Sequence, residues 1–348
     1  MRILYGVQGT GNGHIARARA MNEAFKKTGT DVDFLFSGRD ADQYFSMEVF
    51  GQYQTYRGLT FISDKGKVSY SKTMLYNNVL RFVHDTKQLD LSSYDLVITD
   101  FEPVSAWAAK KGSIPSISIS HQNAFRYDVP LKGASWLDKT IMEQFAPAQY
   151  YLGLHWYHFD QPILPPIVDS QSLPVNFHSF ILVYLPFEPL NKVCELLKPF
   201  EEYDFICYHP DVKESTQVGN IQLRALCHHS FQSHLHNCMG VIANGGFELS
   251  SEALCLGKKL LLKPLLGQFE QQSNVATLEY LGLASAMDFL DPLSVRCWLY
   301  ESRAERVVYP NVAEAICGWI LQGEWQDTQQ LCQSLWNRVD FPTYMSIS

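Results

Sequence analysis

The sequence predicts two Rossmann-like α/β domains facing each other across a cleft. Three observations lead there. Strand-like and helix-like segments alternate through both halves, a proline-rich break separates the two series, and each half carries a glycine loop between a strand and a helix. Such alternation implies mostly parallel sheets, whose strand-end loops gather on one edge and build ligand sites. At 348 residues the chain is too long for one ordinary core and suits two.

Arg2 to Val7 is a short apolar run that reads as the first strand. Ile15 to Lys27 has helical spacing, with Ile15, Ala18, Met21, Ala24 and Phe25 on one face. Val32 to Phe36 is a second strand and Leu96 to Thr99 another, followed by a small-residue helix (Val104 to Lys110) and a strand from Ile114 to Ile119. The rhythm breaks at Phe159-Asp160-Gln161-Pro162-Ile163-Leu164-Pro165-Pro166, where the prolines resist both helix and central strand. A second series follows, with strands at Phe180 to Leu185, Asp204 to Tyr208, Val241 to Ala243 and Leu260 to Leu262. Helices at Leu190 to Leu197, Phe231 to Cys238 and Leu249 to Leu256 alternate with them. The expected division is an N-terminal domain over 1–165, a linker over 166–177, a C-terminal domain over 178–330 and a last helix within 331–348.

Composition narrows the function classes. Hydrophobic residues make up 46% and charged residues 18%, as in globular chains. The formal net charge of −8 argues against a nucleic-acid protein, although a local basic patch stays open. No apolar run is long enough to span a bilayer, and the opening residues enter a strand with no apolar signal region, so a cytoplasmic location is expected. The eight cysteines all lie in the second half without a CxxC pair and read as reduced core residues. Cys227-His228-His229 with His234, His236 and Cys238 matches no standard zinc spacing; a helix burying Phe231, Leu235 and Cys238, with solvated histidines, accounts for it, and no metal is expected. The aromatic run Tyr150 to Phe159 is read as packing between the domains, with a lipid-facing surface as the alternative.

The candidate chemistry sits in the loops. The first strand runs into Gln8-Gly9-Thr10-Gly11-Asn12-Gly13-His14, which lets a ligand approach the backbone and a helix N-terminus. The dinucleotide fingerprint would need glycine at His14, and no Gly-Lys-Ser/Thr follows for a P-loop. His14 suits a general base at the loop's mouth; packing of the helix start is the alternative. In the second half a strand ends in Asn244-Gly245-Gly246 and a helix begins, whose first amides suit a diphosphate. Glu252 lies one to two turns in, placed to accept from ribose hydroxyls, and the strand-end loop Lys263 to Val275 carries Glu270, Gln271, Gln272 and Asn274. Asp100 and Glu102 follow a strand, where either could act as base or orient His14; capping the next helix is the alternative for Asp100. His121 and Gln122 end another strand, either lining the acceptor side or forming an ordinary turn.

Together these residues resemble the GT-B glycosyltransferases. The order strand, Gly-Gly, helix with Ser251-Glu252-Ala253, strand, Lys263-Pro264, then Glu270-Gln271-Gln272-Ser273-Asn274 is similar to their donor half. The family of N-acetylglucosamine transferases of peptidoglycan precursor synthesis is similar, including its glycine loop ending in histidine; a poorly characterised bacterial and archaeal branch, with Thr99-Asp100-Phe101-Glu102-Pro103, is closer still. The resemblance implies an acceptor domain first and a donor domain second, with the last helix packing back on the first. It implies that Glu252 holds the donor ribose, that Glu270, Gln271 and Gln272 contact the donor sugar with Asn274 in support, and that Gly245, Gly246 and Phe247 border the diphosphate. Gly11, Asn12, Gly13, Glu102 and His121 would belong to the acceptor side, with His14 or Asp100 as base. It implies a nucleotide-sugar donor, by resemblance a UDP-sugar, no metal or other cofactor, direct displacement with inversion, and an acceptor that is a glycan, a lipid-linked molecule or a small molecule. A lipid acceptor would bring peripheral contact with the inner face of a membrane. One departure is Tyr184-Leu185-Pro186-Phe187, where the peptidoglycan enzymes have a glycine-rich turn. A nucleotide-sugar epimerase and a non-catalytic nucleotide-sugar binder are the alternatives.

Overall fold

The computed structural model describes residues 1–44, 46–60, 63–64, 67–68, 77–134, 136–168 and 174–345; the remainder of the expected linker (169–173) and the last three residues of the expected terminal segment lie outside them. The first half builds a seven-stranded sheet from β1 (Arg2–Gln8), β2 (Asp31–Ser37), β3 (Tyr53–Tyr56), β4 (Leu96–Asp100), β5 (Ser116–Ser120), β6 (Tyr150–Leu154) and β7 (Ile163–Leu164). Its order is β3-β2-β1-β4-β5-β6-β7, and every pairing is parallel. The helices are α1 (Asn12–Thr28), α2 (Val79–Gln88), α3 (Pro103–Gly112) and α4 (Trp136–Phe145). β4 is buried along its whole length, which is why it reads as an apolar run and not as an alternation.

The second sheet contains β8 (Phe180–Tyr184), β9 (Asp204–Tyr208), β10 (Thr216–Val218), β11 (Ile221–Arg224), β12 (Gly240–Asn244), β13 (Lys259–Lys263) and β14 (Ser285–Ala286). Its order is β10-β11-β9-β8-β12-β13-β14, parallel except for the edge pair β10–β11. Around it lie α5 (Leu190–Leu197), α6 (His228–Asn237), α7 (Phe247–Cys255), α8 (Phe269–Tyr280) and α9 (Pro292–Leu299), followed by α10 (Val312–Gln322) and α11 (Gln329–Trp336). The chain end reaches the first sheet: Trp336 Nε1 donates to Ile163 O at 2.7 Å, and Glu314 on α10 pairs with Lys27 on α1.

The strand orders decide where ligands can sit. From β1 the chain works outward to β3 and then returns to the other side of β1 as β4; from β8 it works outward and returns as β12. In each sheet a crevice opens at the C-terminal ends of the two strands that flank this reversal. The glycine loops follow β1 and β12, so both face that crevice. The β1–β4 register pairs Val7 with Asp100, which brings the end of β4 beside the start of α1.

Several elements differ from their sequence reading. α1 begins at Asn12 and α7 at Phe247, because their first turns face the cleft and carry no apolar stripe. α8 begins at Phe269, so Glu270 to Asn274 occupy the first turns of a helix and not a loop. The histidines of α6 are not all solvated: His236 is buried, and His234 Nδ1 lies 2.8 Å from the Tyr208 hydroxyl. All eight cysteines are free thiols, but Cys227 and Cys297 are exposed and not core residues. Among the described residues no group of three or more His, Cys, Asp or Glu side chains is arranged to hold a metal, and no helix is long and apolar enough to cross a membrane. The aromatic run does pack between the halves: the Trp156 indole is fully buried and donates to Ser251 Oγ on α7 at 2.9 Å.

Glu102, not Asp100, caps the helix after β4. Its carboxylate accepts from Val104 N and Ser105 N at 2.7 Å each, and from the Ser105 and Ser37 hydroxyls at 2.6 Å each. Burial raises its pKa, and these four donors counter that. Between the two acids, Phe101 occupies the left-handed region at φ 52°, and the carboxylates diverge to either side of it. Glu102→Ala is expected to cost about 2–4 kcal/mol, from a lost N-cap and two hydroxyls left unpaired in the core. Denaturant melts would read the loss; a cost below about 1 kcal/mol would mean that water replaces the carboxylate.

Candidate active site

The two reversals open onto one cavity of about 740 Å³ between the sheets, the size of a small-molecule site. Its first wall is the start of α1 and its second the start of α7. The N-caps are Gly11 and Gly246, which supply no side-chain cap, so the first-turn amides of both helices are left for a ligand. Two glycines permit the close fit. A Cβ on Gly13 would meet Glu248 Cγ at 2.7 Å across the cleft, and one on Gly245 would meet Gln271 O at 2.8 Å and Val275 Cγ2 at 2.7 Å.

At the centre stands a buried chain of charges. Asp100, fully buried, lies with Oδ1 2.8 Å from His14 Nδ1. Arg17, one helical turn beyond His14, grips the same carboxylate through Nε (2.7 Å) and Nη2 (2.9 Å) and reaches Glu248 on α7 through Nη1 at 2.5 Å. Arg17 is 2% exposed, so the guanidinium is held within the protein by carboxyl groups from both halves. Burial alone would raise the Asp100 carboxyl, but Arg17 and His14 outweigh it and hold Asp100 below its ordinary value. For Glu248 burial prevails over Arg17 and pushes the carboxyl up to about 8.

An ionised Asp100 accepts, so Nδ1 of a neutral His14 carries the proton. Arg17 Nη2 also lies 3.0 Å from that nitrogen, but the shared acceptor is Asp100 Oδ1, which the Nδ1–H and one of the two Nη2 protons both reach. Nε2 is then the ring nitrogen left for a ligand in the cavity, which His14 lines at 15% exposure. The geometry is that of a base with its tautomer fixed by a carboxylate.

The remaining candidates divide. Gly11, Asn12, Gly13, His121, Gly246, Phe247, Glu252, Glu270 and Gln271 line the cavity. Glu252 Oε2 accepts from Gln232 Nε2 at 3.0 Å. Glu270, whose carboxyl burial raises, accepts from Gln122 Nε2 at 3.2 Å across the cleft. Glu102, Gln272 and Asn274 stand outside the lining: Glu102 caps α3, Gln272 lies against Gly133, and Asn274 Nδ2 donates to Gly245 O at 3.0 Å. Asp100 and Gly245 lie behind it. His121 stacks on Phe247 at 3.9 Å, with Nε2 2.6 Å from Asn274 Oδ1 and Nδ1 2.8 Å from Leu154 O; burial lowers its pKa to about 3, and it serves as a packing group. Sequence reasoning missed Arg17 and Glu248. The first had a local signal, since it follows His14 by three residues and shares its helix face; the second had none.

Comparison with known proteins agrees with this architecture. A model of glycosyl transferase family 1 matches residues 1–302. No curated protein sequence matches significantly. Similar solved structures include the glycotransferase of kitacinnamycin, 16% identical over 95% of this chain and 97% of that one with a TM-score of 0.60. Arabidopsis thaliana UGT89C1 complexed with UDP is 13% identical over 82% and 85%, with a TM-score of 0.55. MurG from Acinetobacter baumannii is 13% identical over 97% and 100%, with a TM-score of 0.52. At these identities the likeness is one of fold, the GT-B arrangement of two α/β halves.

Proposed function

Because this chain belongs to glycosyl transferase family 1 and is a glycosyltransferase, we propose that it moves a sugar from a nucleoside diphosphate sugar on the second wall to an acceptor hydroxyl beside His14. The observation that carries this reading is the His14–Asp100 pair facing the uncapped start of α7 across the cavity. The acceptor hydroxyl gives its proton to His14 Nε2 as its oxygen bonds to the anomeric carbon. The bond from that carbon to the diphosphate breaks, and the departing charge is met by the first amides of α7. Asp100 stabilises the imidazolium that forms. One displacement inverts the anomeric configuration. With helix amides placed for the diphosphate, the reading needs no metal.

Glu252, one to two turns into α7 and lining the cavity, is assigned to the donor ribose, and Glu270 and Gln271 to the donor sugar. Asn274, bound to Gly245 O, supports the diphosphate loop, and Gln272 is left without a ligand role. The domains are proposed as 1–165 for the acceptor and 178–330 for the donor, joined through 166–177, with the last helix bracing the first domain through Trp336. UDP is the proposed nucleotide, supported by the sequence resemblance and by the UDP that UGT89C1 binds. The proposed location is the cytoplasm.

A thermal-shift panel of uridine, guanosine, thymidine and adenosine diphosphates and their sugar conjugates tests the donor side. A ligand at about 100 times its Kd adds roughly 2.7 kcal/mol of stability. One base should stabilise the protein, and Glu252→Ala should remove that shift. A panel in which no nucleotide acts, or in which Glu252→Ala responds like wild type, would reject the ribose assignment. A retained anomeric configuration in the product would reject single displacement.

A further inference from the structure

The net charge of −8 conceals a cluster of arginines on the first wall of the cavity, where Arg19, Arg39 and Arg57 all contribute to the lining. Two of them are engaged: Arg19 Nη2 donates to Ser46 O at 2.8 Å, and Arg57 Nη1 pairs with Asp40 at 3.2 Å. Arg39 differs. It lies just beyond the end of β2, at the same C-terminal sheet edge as the loop that carries His14. Its guanidinium sits over the Tyr44 ring, 4.6 Å from the centroid, and Nη2 donates to Asn12 Oδ1 at 3.1 Å. Among the described residues it forms no ion pair with a carboxylate, and its buried Nε has no hydrogen-bond partner. The buried hydroxyl of Tyr44, packed against Gly9, has none either.

An arginine offers five donors in a planar fork. Here one reaches a neutral amide, one is orphaned and the face is fixed by an aromatic ring. Folded proteins rarely leave such a group so poorly matched unless a ligand completes it. A phosphoryl or carboxylate group does so with two parallel bonds. Asn12 ties the fork to the first turn of α1, two residues before His14, so the guanidinium is anchored on the wall of the base, with Tyr184 at the end of β8 facing it from the second half.

We propose that Arg39, with Asn12 and Tyr44, forms an oxyanion subsite on the acceptor wall, and that the acceptor carries a phosphoryl or carboxylate group. This rests on the reading above that the acceptor occupies the first wall.

The test uses phenyl phosphate and benzoate as probes, titrated by calorimetry into the full chain, alone and with UDP in excess. Wild type should bind one of them with UDP present, and the probe that binds names the group. Arg39→Gln should weaken that binding by about tenfold or more, and Arg39→Lys, which keeps the charge but not the fork, by less. UDP affinity should be unchanged in both variants. Equal probe affinity in wild type and Arg39→Gln, no probe binding by wild type, or competition between probe and UDP with Arg39→Gln weakening UDP would each overturn the subsite. Failure of the donor reading is visible separately, as absent UDP binding with the probe still dependent on Arg39. Arg39 is partly buried; should Arg39→Gln melt early, Arg39→Lys carries the comparison.

Discussion

Arg17→Met is expected to cost about 3–5 kcal/mol of folding free energy, because it leaves the buried Asp100 carboxylate without its cation. Arg17 makes two bonds to Asp100, at 2.7 and 2.9 Å, and one to Glu248 at 2.5 Å. The pH dependence should change as well. In the wild type Asp100 is held below its ordinary value, so its contribution is present above the ordinary carboxylate range and lost as pH falls through the folded value. Without Arg17 only His14 opposes the burial of Asp100, and the carboxyl rises. The raised carboxyl then contributes most at low pH and loses that contribution as pH rises. Glu248, already raised, moves the same way. The deficit of Arg17→Met should therefore narrow on acidification. Adding Asp100→Asn gives a sharper comparison: this change destabilises the wild type, which loses an ion pair, and should stabilise Arg17→Met, which loses an unpaired charge. Urea melts of the four proteins would read the coupling. If Asp100→Asn destabilises both backgrounds alike, the carboxylate is hydrated and the charge chain does not hold the halves together.

How far the sequence disclosed this site follows from which contacts are local. The glycine loops were legible because a strand, a short glycine run and a helix follow one another directly in the chain, and Glu252 because it lies within two turns of Gly246. The pairing of His14 with Asp100 was open, since it depends on β1 lying beside β4, which segment alternation does not specify. Asp100 and Glu102 exchanged their expected capping role because the turn at Phe101 sends them apart. Glu248 was invisible: it earns its place only when α7 meets α1, and its contact with Arg17 joins residues 231 positions apart. Arg17 was hidden differently, as a charged residue beside an apolar stripe that reads as solvated until a second sheet covers it. The first turns of α1, α7 and α8 escaped the periodicity because they face a ligand cavity and not the core, and the same turns carry most of the candidate chemistry.

His14→Ala should lower kcat by about 10²–10⁴-fold, the usual contribution of a positioned base, with the donor's Kd unchanged. The two effects separate because His14 stands on the first wall and the proposed donor contacts on the second. Loss of the imidazole removes the acceptor of the hydroxyl proton and also the cation that would form beside Asp100, so no compensating charge remains at the attacking oxygen. The contrast is Glu252→Ala, which should weaken donor binding and leave the proton transfer intact. Measuring kcat and donor Kd for both variants distinguishes a base from a general structural residue, which would move both quantities together. Glu248 and Glu270 also face the cavity, and burial raises both carboxyls. A carboxyl raised in this way holds its proton to higher pH, which suits an acid better than a base at neutral pH. If His14→Ala retains full turnover, His14 is not the base; loss of the remaining rate in His14→Ala/Glu270→Gln would then place the proton transfer across the cavity beside Gln122.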